Sequence, residues 1–126
     1  MIVYASRTGN VRYIVSKLGL PAVELKADMQ ITEPFILFTY TDGIGSVPPM
    51  VEHFMMLNSS FCRGVIASGN VNFGQHLFAR AGDVIAQTYQ VPLVRKIDLR
   101  GTTFDYTYIQ SFYAQHFLKH AFSSSK

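Results

Sequence analysis

The chain has 126 residues, of which 48% are hydrophobic and 15% charged, and its formal net charge is +3. This length suits one domain with a buried core, and the basic residues are dispersed along the chain, so we expect no binding to nucleic acid. The longest apolar stretches are only as long as a strand, so we expect no crossing of a membrane either.

The first five residues, MIVYA, contain neither a basic segment nor a long apolar stretch before a cleavage site. We therefore expect a cytoplasmic protein. We expect residues 1–122 to form a single domain and residues 123–126 to form a short tail. The only cysteine, Cys62, has no partner for a disulfide or for a pair of metal-binding thiols.

Apolar strand-like stretches alternate along the chain with stretches that have helical spacing. Residues 35–40 are apolar on both faces, which is typical of a central parallel strand covered by helices. Prolines near residue 48 suit the first turn of a helix, and Thr102 or Thr103 can cap the last helix. In chain order, we predict strands at residues 2–5, 22–25, 35–40, 63–68 and 92–99, and helices at residues 11–18, 47–57, 75–89 and 104–122.

This alternation predicts an α/β fold, with a doubly wound parallel sheet of five strands between two layers of helices. Short, right-handed connections leave few topologies, of which the strand order 2-1-3-4-5 is the commonest. Ligands of such folds bind beyond the carboxyl ends of the strands, where the strand order reverses. The three loops of most unusual composition fall at this edge.

The loop after the first strand has the sequence SRTGN at residues 6–10. It offers hydroxyl groups, a glycine that tolerates tight turns, and backbone amides at the start of a helix. Such a loop can bind an anion, especially a phosphate. The same residue types also form ordinary capping turns, and this loop alone does not decide between the two.

Two further loops are rich in glycine and small polar residues, at residues 39–48 after the central strand and at residues 68–74 after the next one. Glycine lets the backbone approach a flat ring closely, and exposed peptide groups can hydrogen-bond its polar edge. Phe73 or Tyr40 could stack on such a ring. Both loops could also be plain turns, with Tyr40 in the core.

The sequence lacks the motifs of several other kinds of binding and catalytic site. The segment GIGSVP at residues 43–48 is not a dinucleotide fingerprint, and no nucleotide-binding P-loop is present. The first strand ends without the acidic pair of a phosphoacceptor domain, and the first loop has no cysteine for a thiol phosphatase. His116 and His120 have a metal-chelating spacing but no third ligand, so we expect no metal site. We also expect no hydrolytic site, because Ser6 and Ser68 have no histidine nearby in the sequence and Asp42 is a lone carboxylate.

The chain strongly resembles the NrdI family, flavodoxin-like proteins that bind flavin mononucleotide (FMN) and serve class Ib ribonucleotide reductases. Three motifs carry the resemblance: SxTGN after the first strand, TYTxGxGxVP after the central strand and ASGNxNxG after the next. The first is common to flavodoxins, whereas the second and third together, in so short a chain, are distinctive. The resemblance extends over essentially the whole chain.

The resemblance implies that the three loops hold FMN. The phosphate would lie at the first loop, the ring near its N5 edge at the second, and the other side of the ring at the third. The cofactor-binding residues that it implies are Ser6, Arg7, Thr8, Gly9, Asn10, Val11, Thr39, Tyr40, Thr41, Asp42, Gly43, Ile44, Gly45, Ser68, Gly69, Asn70, Asn72, Phe73 and Gly74.

The resemblance also implies a function. Reduced FMN would react with O2, and the resulting superoxide or peroxide would reach the dimanganese or diiron site of the reductase small subunit, where it would help assemble the tyrosyl radical cofactor. A flavodoxin-reducing protein would supply the electrons, and no organic substrate would be turned over. Two alternatives remain open: a general short-chain flavodoxin that serves other reductases, and a binding module without flavin.

Overall fold

The computed structural model describes residues 1–118, which form an α/β fold around one five-stranded sheet. The strands lie in the order β2-β1-β3-β4-β5, and all neighbouring pairs are parallel. The predicted fold class and strand order are therefore confirmed. The strands are β1 (Ile2–Tyr4), β2 (Ala22–Glu24), β3 (Phe35–Tyr40), β4 (Cys62–Gly69) and β5 (Leu93–Asp98).

Four helices connect and cover the strands: α1 (Asn10–Leu18), α2 (Pro49–Asn58), α3 (Arg80–Tyr89) and α4 (Thr103–Tyr113), which continues into a π-helical turn at Ala114–Leu118. Short 3-10 turns lie at Ser59–Phe61 and Val71–Phe73. Within residues 1–118, none of the helices is both long and apolar enough to cross a lipid bilayer. The end of the predicted last helix and the predicted tail at residues 123–126 lie outside the described residues.

The sheet has an apolar core on each face. Leu37 of β3 packs in one core with Phe54 of α2 and Ile85 of α3, whereas the next residue, Phe38, lies in the other core with helices α1 and α4. This alternation follows from the two-residue repeat of a strand and explains why residues 35–39 are all buried. Strand β3 is therefore the centre of the sheet, and its carboxyl end is held firmly in place.

Helix α3 begins later than its sequence indicates. The helix predicted from residue 75 starts only at Arg80, because residues 75–79 form turns and Ala79 adopts a left-handed backbone conformation with φ 49°. The backbone of Ala79 is packed against Gly69, where an added Cβ would meet the Ala79 nitrogen at 2.6 Å. This close approach between the end of β4 and the turn before α3 fixes the start of the helix, and local helical spacing could not reveal it.

Helix α4 begins with a capping box. Thr102 Oγ1 accepts a hydrogen bond from the Asp105 amide, and Asp105 Oδ2 accepts one from the Thr102 amide at 2.8 Å. Asp105 Oδ1 also accepts a 2.7 Å hydrogen bond from Arg95 Nε on β5. Burial alone would raise the pKa of the Asp105 carboxyl, but the hydrogen bonds from Arg95 and Thr102 outweigh it and hold this pKa below its ordinary value.

Candidate functional site

A cleft of about 190 Å³ opens at the carboxyl ends of the central strands, where the strand order reverses. The loops after β1, β3 and β4 all contribute to its walls. Eleven of the predicted site residues line this cleft: Arg7, Thr8, Asn10, Tyr40, Thr41, Gly43, Gly45, Ser68, Gly69, Asn70 and Phe73. Two further residues line it that were not predicted as site residues, Leu77 and Leu99.

The first loop presents the start of helix α1 to the cleft. Gly9 caps the helix in a left-handed conformation with φ 94°, and neither a capping side chain nor an acidic residue occupies the first turn. The Arg12 amide donates only a long 3.4 Å hydrogen bond to Ser6 Oγ. Unpaired first-turn amides and the positive end of the helix dipole make this loop suitable for an anionic group.

An ion pair joins the first loop to the second. The Arg7 guanidinium donates a 2.7 Å hydrogen bond to Asp42 Oδ1 and lies over the Tyr40 ring, 5.4 Å from its centre. Arg7 was predicted to lie in the cofactor site, and in the structure its charge is balanced by Asp42.

The second loop is a tight hairpin. Asp42 and Ser46 exchange two backbone hydrogen bonds of 2.8 Å, and between them Gly43 and Gly45 both have positive φ, at 47° and 85°. Gly45 is covered by the Arg80 side chain, which leaves no room for a Cβ. Ile44 stands at the tip with 79% of its surface exposed. At Gly43 and Gly45 the hairpin therefore lines the cleft with its backbone, because glycine has no side chain.

Two side chains, one in the third loop and one at the end of β5, accept hydrogen bonds from the backbone of this loop. Asn70 Oδ1 accepts from the Asn72 amide at 2.9 Å, and Asp98 Oδ1, at the end of β5, accepts from the Val71 amide at 3.0 Å. These contacts hold Phe73 at the rim of the cleft, where 64% of its surface is exposed. An aromatic side chain exposed to this extent beside a cleft is available to stack on a flat ligand.

Thr41 adds a polar group without a partner. Its Oγ1 is buried and forms no hydrogen bond with any described residue, although Thr41 lines the cleft. Burying an unpaired hydroxyl is costly, so such a group needs a partner from a ligand or from water. The cleft thus combines a loop that is suited to an anion, a glycine hairpin, an exposed aromatic ring and an unpaired hydroxyl.

Comparison with known proteins identifies the family. The family model described as "NrdI Flavodoxin like" matches residues 2–111. The chain belongs to the NrdI flavodoxin-like family. NrdI and flavodoxin proteins bind FMN, which is therefore the cofactor of this chain. The cleft fits this cofactor, because an anion-binding loop suits its phosphate, and the hairpin, Phe73 and Thr41 suit a flat ring with a polar edge.

A solved structure has the same fold. It is a short-chain flavodoxin associated with a non-canonical PDU bacterial microcompartment, with a TM-score of 0.71, 21% sequence identity, and coverage of 95% of this chain and 96% of that chain. At this identity the similarity establishes the fold alone. It agrees with the strand order and helix layers of this NrdI-family chain.

Some predicted site residues do not line the cleft of this NrdI-family chain. Val11 and Thr39 are both buried. Val11 packs in the core beneath α1, and the Thr39 hydroxyl donates a 2.8 Å hydrogen bond to the Tyr40 carbonyl. The others belong to the same three loops but do not line the cleft themselves: Ser6, Gly9, Asp42, Ile44, Asn72 and Gly74.

Leu99, which was not among the predicted site residues, brings a fourth loop to the cleft of this NrdI-family chain. Its amide donates a 2.8 Å hydrogen bond to the Gly69 carbonyl, and its φ is 53°. Gly101, at φ 73°, ends this turn after β5. That glycine was the only signal in the sequence that could have pointed to this loop.

Groups outside the cleft offer no second redox or metal centre among residues 1–118. Burial raises the pKa of the Cys62 thiol, which keeps it protonated and unreactive. No group of three metal-binding side chains lies together in this part of the chain. His116 stacks on Phe112 and bonds the Phe112 carbonyl, and His120 lies outside the described residues.

A second cavity, of about 220 Å³, lies between helices α2 and α3. It is lined by Val47, Glu52, Met55, Met56, Val84, Ile85, Thr88 and Tyr89. No glycine lines this cavity, and the first turn of α2 in its wall carries an acidic residue, Glu52, so the cavity lacks the features that suit a phosphate.

Proposed function

We propose that this chain is an FMN redox protein that activates the small subunit of a class Ib ribonucleotide reductase. Bound FMN, when reduced, would supply superoxide or peroxide from O2, and this oxidant would help assemble the dimanganese–tyrosyl radical cofactor of the partner. A flavodoxin-reducing protein would supply the electrons. We place this activity in the cytoplasm and assign it to a single domain. One observation carries the proposal: three loops of the NrdI-type motifs line one cleft.

The phosphate would lie at the first loop. Ser6, Thr8 and Asn10 offer polar side chains there, and Gly9 keeps the first turn of α1 open. The absence of an acidic residue from that first turn supports this assignment, because a carboxylate would compete for the same amides.

The ring would lie between the second and third loops. Gly43 has open space where a Cβ would stand, so the hairpin backbone can approach the ring closely there. The positive φ values of Gly43 and Gly45 suit a peptide that changes orientation when the flavin is reduced. Phe73 would stack on the ring, and Thr41 Oγ1 would gain its missing partner at the polar edge. Ser68, Gly69 and Asn70 would close the opposite side.

The rim of the cleft suits a protein partner. Ile44 and Phe73 are two large apolar side chains exposed on neighbouring loops, and such residues at a rim favour docking of another protein beside the flavin. The net charge of +3 favours a partner with an acidic docking surface. A short path between flavin and partner would protect a reactive oxidant from loss in solvent.

The test is assembly of the radical in a purified system. The FMN-loaded protein is reduced without oxygen, mixed with the Mn(II)-loaded small subunit and exposed to O2, and the tyrosyl radical is measured by electron paramagnetic resonance. Controls contain the oxidised protein or reduced free FMN in place of the reduced protein. Radical formation only with the reduced protein is expected.

Other results would point elsewhere. If the protein takes up FMN but neither binds nor activates the small subunit, the activating role is wrong and a general short-chain flavodoxin is favoured. If the protein takes up no FMN, the flavin-free binding module is favoured instead.

A further inference from the structure

Arg100 lies on the loop between β5 and α4, and this loop is fixed at the edge of the cleft. The preceding residue, Leu99, lines the cleft and donates its amide to the Gly69 carbonyl at 2.8 Å. Gly101 donates its amide to the Asp98 carbonyl at 2.9 Å, and the Tyr106 hydroxyl donates to the Arg100 carbonyl. The backbone of Arg100 is therefore held on both sides.

The side chain of Arg100 reaches the first loop. Its Nε lies 3.4 Å from Asn10 Oδ1, at the first residue of α1, and its guanidinium lies over the Tyr13 ring, 4.6 Å from its centre. Stacking on Tyr13 reduces the number of conformations open to a long, exposed side chain. A cation is thus placed beside the anion-binding turn by contacts from two elements that are far apart in sequence.

Arg100 also supplies a charge that its neighbours do not. Arg7 is paired with Asp42 at 2.7 Å and Arg12 with Glu24 at 2.7 Å. Within residues 1–118, no carboxylate lies within ion-pair distance of Arg100. Among the described residues, Arg100 is therefore a cation without a carboxylate partner beside the start of α1.

We propose that Arg100 is a specificity residue for the phosphate of FMN and favours FMN over riboflavin, which has the same ring but no phosphate. The inference rests on the proposed function, in which the first loop holds the phosphate. The guanidinium adds its attraction for the doubly charged group to that of the α1 amides, and planar guanidinium N–H groups suit phosphate oxygens. Without Arg100, the start of α1 would bind the same phosphate more weakly.

The test compares FMN and riboflavin on the same apoproteins by fluorescence titration. In R100Q, the dissociation constant for FMN is expected to rise about 3- to 10-fold, the range between an exposed ion pair and a charge-assisted hydrogen bond. The dissociation constant for riboflavin is expected to stay unchanged. R100K keeps the charge and is expected to retain most of the FMN affinity. The dependence of FMN binding on salt is expected to be weaker in R100Q.

R63Q is the matched control. Arg63 lies at the start of β4, at the opposite end of the sheet, where its guanidinium bonds the Ser60 carbonyl at 3.0 Å. This variant removes one positive charge at a distance from the cleft and is expected to bind FMN like the wild type. Thermal melting of each apoprotein verifies that the variants fold.

The role of Arg100 is overturned if R100Q leaves FMN affinity unchanged, weakens FMN and riboflavin equally, or weakens FMN no more than R63Q does. It is also overturned if R100K loses as much affinity as R100Q, because the positive charge of residue 100 would then not account for the binding of the phosphate. A wild-type apoprotein that binds neither flavin would overturn the proposed function together with this inference, whereas the other failures leave the proposed function intact.

Discussion

The Arg7 guanidinium and the Asp42 carboxylate, 35 residues apart in sequence, form a 2.7 Å ion pair that joins the loop after β1 to the loop after β3. Asp42 Oδ1 also accepts a 3.0 Å hydrogen bond from the Gly43 amide, which supports the glycine hairpin. This pair therefore fixes the relative position of two walls of the cleft.

The contribution of this ion pair to the stability of the fold is expected to be small. The side chains of Arg7 and Asp42 are 58% and 32% exposed, so solvent screens their attraction. A double-mutant cycle with R7Q, D42N and the double variant, measured by chemical unfolding of the apoprotein, is expected to give a coupling energy of about 0.2–1 kcal/mol. A coupling energy above about 2 kcal/mol would mean that the pair is screened far less than its exposure indicates.

Thr41→Val is expected to lower the affinity for FMN without lowering the stability of the apoprotein. The substitution removes a buried hydroxyl that has no partner among the described residues, so the unfolding free energy of the apoprotein should stay equal or rise by up to about 1 kcal/mol. FMN affinity should fall about 2- to 10-fold if the hydroxyl bonds the ring. Unfolding and fluorescence titration of the same samples measure both effects. A variant that binds FMN as tightly as the wild type would show that Thr41 does not contact the cofactor.

Phe73→Ala is expected to weaken FMN binding about 2- to 10-fold, because one aromatic stack contributes about 0.5–1.5 kcal/mol. The apoprotein should lose little stability, since most of the Phe73 side chain is already exposed. Phe104→Ala is the matched control, because Phe104 is 82% exposed on α4 and does not line the cleft. Equal FMN affinities for the two variants would exclude stacking by Phe73.

Asp105→Asn is expected to lower the unfolding free energy at pH 7 by about 1–2 kcal/mol, through loss of the capping carboxylate and of its bond to Arg95. Because folding lowers the pKa of Asp105, its ionised form stabilises the native state above the ordinary aspartate pKa of about 3.9. That advantage is lost as the pH falls through the lower pKa of the folded state. Urea unfolding of both proteins from pH 7 to acid should therefore show a shrinking difference, and a constant difference would contradict the assignment.

The strand order and three of the four cleft loops could be predicted because local patterns encode them. The run at residues 35–40 is apolar on both faces, which only a central strand requires, and glycine clusters follow the strands that end at the cleft. Thr102 was likewise predicted as one of two possible caps, and the structure selects it through its bonds with Asp105. These features depend on residues that are close together in sequence.

The features that could not be predicted depend on contacts between distant residues. The start of α3 is set by Ala79 packing on Gly69, and the loop at Leu99 reaches the cleft through a hydrogen bond to the same glycine. The pairing of Arg7 with Asp42 could not be predicted either, because the two residues are 35 positions apart in the sequence. Arg100 could not be identified at all, since no local motif surrounds it.

Amide NMR spectra of the isotope-labelled apoprotein during titration with FMN can show whether the loops after β1, β3 and β4 together hold this cofactor. We expect one FMN per chain, with the largest shifts at residues 6–10, 40–46 and 68–74. Shifts concentrated instead in the cavity between α2 and α3, at residues such as Met55 and Tyr89, would contradict it.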